Sequence, residues 1–416
     1  FRLQQNFTGF TQRSRTLERV AGRGDLIEQQ NRTLSVGLTG RYRGAPLALL
    51  PGVEGTVEIG ADARADVIDQ AQNLLDAAVR RQTWDRRIDA GVRALDVGFW
   101  GDLEIHADEL LRVRAGFRAD ALSYEVDDRL GNFAPLSRPD DAFIVGFRRS
   151  AFGVAAGPRT SLELSASSWL SLLAAYGEGY RSPQARLLED GESAPFTKVR
   201  SGDLGLRMRF GAPLRLTLGG YATELSDDVA FEADEGRLER IGATRRIGAV
   251  AHAVSRGGEW LVAAASVTYA RATLLEPPPA TAEEPDPPFV QGQSLPFVPP
   301  LVVRADAGVE HPLFAARSGK PLVGRAGLGF SFLSARPLPF DAFADPVALL
   351  DASAAVQYAP FDLTFEIYNL LDRRYAAVEY NFASDWDPEA PRPRTPARHS
   401  AAAAPLSWML TLGVTL

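Results

Sequence analysis

The residues able to do chemistry are few and scattered. Four histidines, His106, His252, His311 and His399, are the only imidazoles in 416 residues. None has a second ligand at helical spacing, so they do not suggest a prearranged metal site. The acid pairs Asp227–Asp228 and Glu283–Glu284 fall in segments expected to be loops, where solvation accounts for them and an extracellular Ca²⁺ site is the alternative. Gly177 and Gly179 have the look of a phosphate-binding loop, yet no helical pattern follows and Pro183 intervenes. Glycines that relieve crowding where a strand ends fit better. No Gly-x-Ser-x-Gly elbow and no other set of nucleophile, base and orienting group stands out, so no catalytic residues, metal or cofactor are expected. What remains is recognition: Trp84, Phe133, Tyr180, Tyr380 and Trp386 offer stacking surface, and Arg181 and Arg186 offer charge for an anionic ligand.

These side chains must be carried by strands, because alternation with period two recurs along nearly the whole chain. From Leu406 to Leu416 one face holds Leu406, Trp408, Leu410, Leu412, Val414 and Leu416, and the other Ser407, Met409, Thr411, Gly413 and Thr415. Between Arg112 and Asp120, Val113, Ala115, Phe117 and Ala119 face one way, with Arg112, Arg114, Arg118 and Asp120 facing the other. Arginines on an inner face would be ruinous in a dry core, so the two faces meet different solvents.

About sixteen strands are expected, with boundaries uncertain by several residues. They include 25–43, 52–64, 88–105, 143–156, 160–180, 214–226, 361–379 and 403–416. Short connections such as His106–Glu109, Gly157–Arg159, Gly211–Pro213, Ser255–Gly258 and Ala359–Pro360 alternate with long ones such as Ala65–Arg87, Asp127–Ala142, Arg181–Phe196, Glu276–Pro296 and Tyr380–Ala402. A soluble sandwich also alternates, but one-ended long loops belong to a barrel that crosses an outer membrane. Phe99, Trp100, Tyr124, Tyr180, Trp260, Phe297 and Trp408 are expected as girdle or lipid-facing aromatics.

With 45 basic against 52 acidic residues there is no broad basic footprint for nucleic acid, and the lack of cysteine excludes a disulfide scaffold. No apolar run reaches the length of a membrane-crossing helix. No composition shift marks a linker, so residues 1–416 read as one unit.

The run Tyr176-Gly177-Glu178-Gly179-Tyr180-Arg181-Ser182-Pro183 resembles a strand end and loop start of TonB-dependent receptor barrels. More specifically, Ile367-Tyr368-Asn369-Leu370-Leu371-Asp372-Arg373-Arg374-Tyr375 is similar to the penultimate-strand signature of that family, and Thr244-Arg245-Arg246-Ile247-Gly248 looks like another of its strands. The resemblance implies an all-β, transmembrane, antiparallel up-and-down barrel in the bacterial outer membrane, with about 16 strands of a probable 22 in this chain. It also implies a monomer in outer-membrane lipid that takes up a small-molecule nutrient or metal chelate, a ferric siderophore being the commonest case. The plug, with about six strands, is expected to lie outside residues 1–416, and the TonB system would act only through that plug. Gly177, Gly179, Pro183, Asn369, Leu370, Asp372 and Tyr375 are then structural, since Asn and Asp bond their own backbone where a strand bends. Two rival classes are a passive porin-like channel and a soluble all-β binding domain.

Overall fold

The computed structural model describes residues 2–11, 26–76, 81–130, 147–181, 195–211, 213–232, 237–258, 260–277, 290–315, 321–383 and 396–415. The strands run in chain order as β1 (Arg2–Thr11), β2 (Leu26–Arg43), β3 (Leu47–Leu50), β4 (Val53–Leu75), β5 (Thr83–Ala107), β6 (Leu111–Asp128) and β7 (Phe147–Ser167). Next come β8 (Leu170–Arg181), β9 (Thr197–Phe210), β10 (Leu214–Glu232), β11 (Arg237–Gly257), β12 (Leu261–Glu276), β13 (Leu301–Ala315) and β14 (Pro321–Leu333). The last are β15 (Arg336–Pro337), β16 (Phe343–Ala344), β17 (Val347–Tyr358), β18 (Phe361–Tyr368), β19 (Ala376–Ala383), β20 (Pro396–Ala402) and β21 (Ser407–Val414).

Seventeen of these strands form one antiparallel sheet in which sequence neighbours pair. Strands β2 and β3 lie end to end along β4, so the wall has sixteen positions. The short pairs β15–β16 and β19–β20 stand apart as two hairpins. Among the described residues no ladder joins β1 to β21, so each keeps one edge without a partner.

Register shows why the sequence takes this form. Leu38, Ala63, Val97, Ala121 and Val154 lie side by side across β2, β4, β5, β6 and β7, and Val36, Ala65, Leu95, Ser123 and Phe152 form the next line. Leu38, Val154, Val36, Leu95 and Phe152 in these lines are exposed. Along β4 the outward residues Val57, Ile59, Ala61, Ala63, Ala65 and Val67 cover the about 9–11 residues that cross hydrocarbon at a tilt. Lipid accepts no hydrogen bonds, so each strand between β1 and β21 satisfies its backbone against its neighbours. Trp408, Leu410, Leu412 and Val414 of β21 share the outer face with Ile367, Phe365, Leu363 and Phe361 of β18.

Several boundaries differ from expectation. The segment Ala65–Arg87 is strand rather than long loop over most of its length, because the β4–β5 ladder continues to Leu75 and Thr83. Above Val67 the outward face turns from apolar to charged, which erases the hydropathy alternation but not the hydrogen bonding. Gly157–Arg159 is not a turn but part of β7, and the turn comes at residues 168–169. Pro158 is tolerated because the β7–β8 ladder ends at Arg159, so its missing N–H is not needed there. The stretch 361–379 breaks at Tyr368, and the region Tyr380–Ala402 contains parts of the β19–β20 hairpin. Asp227 and Asp228 lie within β10 beside a bulge, and Asp228 is only 2 % exposed rather than solvated.

Not all the expected girdle aromatics face out. Phe99 and Trp408 are exposed on the outer face, whereas Tyr124 is buried against Leu122, Ala151 and Ala155 with Tyr180 and Phe196 packed on them. Trp100 alternates with Phe99 and meets the Arg159 guanidinium 5.3 Å from its ring centre. These aromatics serve the inner face, where the upper ends of β8 and β9 cover the wall.

Candidate ligand-binding mouth of the barrel

The inner face of β4–β8 is polar and tied together by ion pairs. Arg118 donates through Nη1 to Asp62 (2.7 Å), through Nη2 and Nε to Asp120 (2.6 and 2.8 Å), and through Nε to the Tyr180 hydroxyl (3.1 Å). One strand register lower, Arg114 Nη2 and Arg159 Nε both donate to Asp102 at 2.8 Å. Asp120 and Asp102 are 1 % and 5 % exposed, so each carboxylate depends on its arginines for solvation. Two glycines make the room: a β-carbon on Gly98 would overlap the Asp120 carboxylate, and one on Gly116 would overlap that of Asp102. The charges thus lie flat along the wall.

Above this wall, Asp228 gathers a second group. Arg181 Nη2 donates to it at 3.1 Å, Arg246 Nη2 at 2.7 Å, the Thr244 hydroxyl at 2.9 Å and the Val229 amide at 2.9 Å. Two guanidiniums share one buried carboxylate, and both keep part of their surface exposed. Arg181 is therefore ion-paired and still 44 % exposed at its side chain.

Phe231, three residues along β10 from Asp228, packs on Tyr380 of β19 (5.5 Å), which also meets Phe297 (5.7 Å). The hairpin that carries Tyr380 docks on its neighbours. Glu379 accepts from the Asp345 amide (3.1 Å) and faces Arg336 (3.7 Å), Asn381 donates to the Pro339 carbonyl (2.8 Å), and Arg398 donates to the Phe343 carbonyl and Asp345 (both 3.0 Å). Phe382 stacks on His399 at 4.0 Å. Arg398 holds the Asp345 carboxyl below the ordinary carboxylate range, and burial pushes the His399 imidazole down despite a backbone hydrogen bond with Phe382.

The structure brings Tyr180, Arg181 and Tyr380 to the upper ends of β8 and β10. It does not bring Trp84 to them: that residue is on β5, not in a loop, and packs on Ile27 and Leu74. Phe133, Pro183, Arg186 and Trp386 lie outside the described residues. The motif glycines sit within β8, with Gly177 opposite Arg159 where β7 and β8 part. Asn369 takes a left-handed φ of 52° and Asp372 one of 46°. The Asn369 side chain accepts from the Arg373 amide and donates to the Arg373 carbonyl, both at 2.9 Å, while Asp372 accepts from the Leu406 amide at 3.0 Å. The run is the bend that releases the chain from β18. Leu370 donates its amide to Leu350, and the Tyr375 carbonyl accepts from Ala403.

Sequence reasoning missed Asp228, Thr244, Arg246 and Phe231 as members of the mouth. The available signal was the pair of opposite-charge runs, Asp227–Asp228 and Arg245–Arg246, on two consecutive strands, although the register sets Asp228 opposite Gly242 and Arg246 opposite Thr223, so the contact is diagonal.

The sequence model of the family described as TonB dependent receptor-like, beta-barrel matches residues 1–370. Among solved structures, the chain is similar to the ferric-catecholate import receptor Fiu of E. coli K12 in its closed form, with TM-score 0.63 and 13% identity over 94% of this chain and 55% of that one. It is similar to the siderophore receptor PiuA from Acinetobacter baumannii, with TM-score 0.64 and 14% identity over 94% and 56%. It is also similar to the copper transporter OprC, with TM-score 0.65 and 15% identity over 99% and 61%. The chain thus spans little more than half the length of these structures, and identities this low speak for the fold alone. No match was found among curated proteins.

Proposed function

The chain belongs to the TonB-dependent receptor β-barrel family, and from that premise we propose that it forms the wall and mouth of an outer-membrane receptor for TonB-energised uptake of a scarce nutrient complex, a ferric siderophore or other metal chelate. We take residues 1–416 as one barrel unit, with energy coupling supplied by a plug segment. The observation that carries the reading is the mouth itself. Two part-exposed guanidiniums, Arg181 and Arg246, converge on one carboxylate, and three residues farther along β10 Phe231 packs with Tyr380, which also meets Phe297. Such a site attracts an anionic chelate by its surplus positive charge and offers ring surface for its aromatic or planar parts.

The name of Fiu supports a catecholate, and that of OprC shows copper within the same fold. The porin-like alternative requires a closed sixteen-stranded ring, and among the described residues no ladder joins β1 to β21, which counts against it.

The test is uptake of labelled ferric catecholate by cells carrying the complete receptor. Uptake should stop when the inner-membrane proton gradient is collapsed, and Arg181→Gln with Arg246→Gln should weaken binding of the chelate by tenfold or more, about 1.4 kcal/mol. Gradient-independent uptake would favour the channel, and unchanged affinity would remove the mouth from the binding site.

A further inference from the structure

Below the mouth, the strands that carry Arg246 and Asp228 lead down the inner wall to a second group of arginines. On the way they pass Thr217–Thr223 of β10 and Gly248–Val254 of β11, two runs without an Asp, Glu, Lys or Arg. A hollow of about 380 Å³ opens there, lined in part by Leu173, Gly219, Tyr221 and Val250. Its charged lining is Arg112, Glu163 and Asp203, and Glu163 is already held by Arg207 at 2.6 Å.

The uncharged runs end on arginine. Arg209 of β9 stands directly opposite Arg215 of β10, and Arg215 directly opposite Val254 of β11. Arg256 follows Val254 on the same face, one diagonal step from Arg215. Opposed residues hold their β-carbons about 4.5–5.5 Å apart and diagonal ones about 7–8 Å, so the guanidiniums share one patch. The alternate residue Phe210 is exposed and stacks on Trp169 (6.0 Å) on the outer face, which leaves the arginines on the lumen side. Elsewhere on the inner wall arginines are answered, as Arg304 is by Asp306 (2.6 Å) and Arg325 by Glu310 (3.0 Å). Arg209, Arg215 and Arg256 are exposed and form no ion pair among the described residues. Like charges set directly opposite destabilise a sheet, and here they stand uncompensated in a chain whose net charge is −7.

Resting on the receptor reading above, we propose that Arg209, Arg215 and Arg256 form an exit-side site for the anionic chelate, reached from the mouth along the uncharged inner face of β10 and β11. At about 3.3 Å per residue, Arg256 lies about 33 Å along β11 from Arg246, so one sector of wall carries a cationic group at each end. Between them no fixed charge on these strands holds the anion, and the hollow gives its planar parts a place to lie. The exit arginines have no internal carboxylate to surrender, so their donors are free for the oxygens of the chelate. Their exposure to water keeps the attraction weak enough for release.

The experiment places a fluorophore beside the patch, on Val254→Cys of the complete receptor, where it is the only thiol in this chain. The purified protein is titrated with ferric catecholate, whose iron quenches the dye at short range. Quenching should persist in the mouth variant Arg181→Gln with Arg246→Gln. It should need about tenfold more chelate in the triple variant Arg209→Gln, Arg215→Gln, Arg256→Gln, and return toward the wild-type level when the same three positions carry lysine. In cells without the label, the triple glutamine variant should bind chelate at the surface with wild-type affinity but take it up several-fold more slowly. Wild-type quenching in the triple glutamine variant overturns the exit site, whatever the mouth variant shows. Equal losses with glutamine and lysine also overturn it, because charge would not be the cause. Tighter binding of an octaglutamate peptide than of the chelate identifies a peptide-docking surface and overturns the assignment to cargo. Loss of surface affinity in the mouth variant with no quenching at Val254→Cys in the wild type keeps the receptor reading and removes the exit site alone.

Discussion

Two parts of the wall reach the same end by different means. Strands β4, β5, β6 and β7 run for 23, 25, 18 and 21 residues, and rise above the apolar band as one continuous ladder. Strands β17, β18 and β21 have only 12, 8 and 8 residues, and there the mouth is built from the β15–β16 and β19–β20 hairpins set on top. The long region is braced from inside by Arg118 and Asp102 with their partners. In the short region, the apolar contact of Phe365 with Trp408 (6.1 Å) and the outward leucines of β21 dominate. A tall ladder needs charge on both faces above the lipid, whereas a short one can hand recognition to separately docked pieces.

The sharpest way to break this contrast is on β21. Leu410→Arg places a charge in the lipid band and should cost on the order of 2–4 kcal/mol if it sits near the midplane, whereas Thr411→Arg, on the opposite face, should cost little. Reversible unfolding in vesicles measures both, and equal losses would refute the assignment of faces.

The inner bracing of the long region comes next. Asp102→Ala leaves Arg114 and Arg159 facing each other across a site that Gly116 keeps open, with an expected loss of about 1–3 kcal/mol because both arginines retain solvent. Gly116→Ala should act in the same direction by displacing the carboxylate. If denaturant midpoints stay at the wild-type value for both, the wall charges do not brace it.

A smaller effect belongs to the bend after β18. Asn369 is 3 % exposed, so Asn369→Ala should cost about 1–2 kcal/mol through unmet backbone groups and an unfavourable φ. Asn369→Gly keeps the backbone freedom and should recover part of that loss. No difference between the two would leave the φ without a role.

The gentlest perturbation is pH. Burial holds the folded pKa of His399 below its ordinary value of 6.5, so the unfolded hairpin binds the proton more readily than the docked one. The docking contribution is full above pH 6.5 and declines as pH falls below it. Hydrogen exchange across β19–β20 should speed up between pH 7.5 and 5.5, and His399→Asn should remove that dependence. A pH-independent hairpin in the wild type would contradict the stacking of His399 as its lock.

Faces were legible in the sequence where the two solvents differ. Val113 to Asp120 and Leu406 to Thr415 set large apolar residues on one face against mostly polar or small ones on the other, and the register keeps that separation. The family motif at Asn369 was legible too, because Asn and Asp side chains carry the local hydrogen bonds that make a bend. Strand height was not. Above Val67 polar residues enter both faces of β4 (Asp69, Gln70, Gln72, Asn73), so the period-two signal fades while the ladder continues. The turn at Ser168 and Trp169 was hidden by the stronger local cue of Gly157-Pro158. The mouth depends on contacts across long stretches of sequence, such as Arg181 with Asp228 and Tyr380 with Phe297, which no local pattern announces.

The most direct test of the wall uses the absence of native cysteine, since each introduced thiol then reports alone. Single substitutions along β4, from Ala61→Cys through Asp69→Cys, can be labelled with a charged maleimide in membranes. Ala61, Ala63 and Ala65 should be protected by lipid, while Asp62, Arg64, Asp66 and Asp69 should label. Uniform labelling of both faces up to Asp69, or protection of the charged face alone, would contradict a lipid-spanning barrel wall.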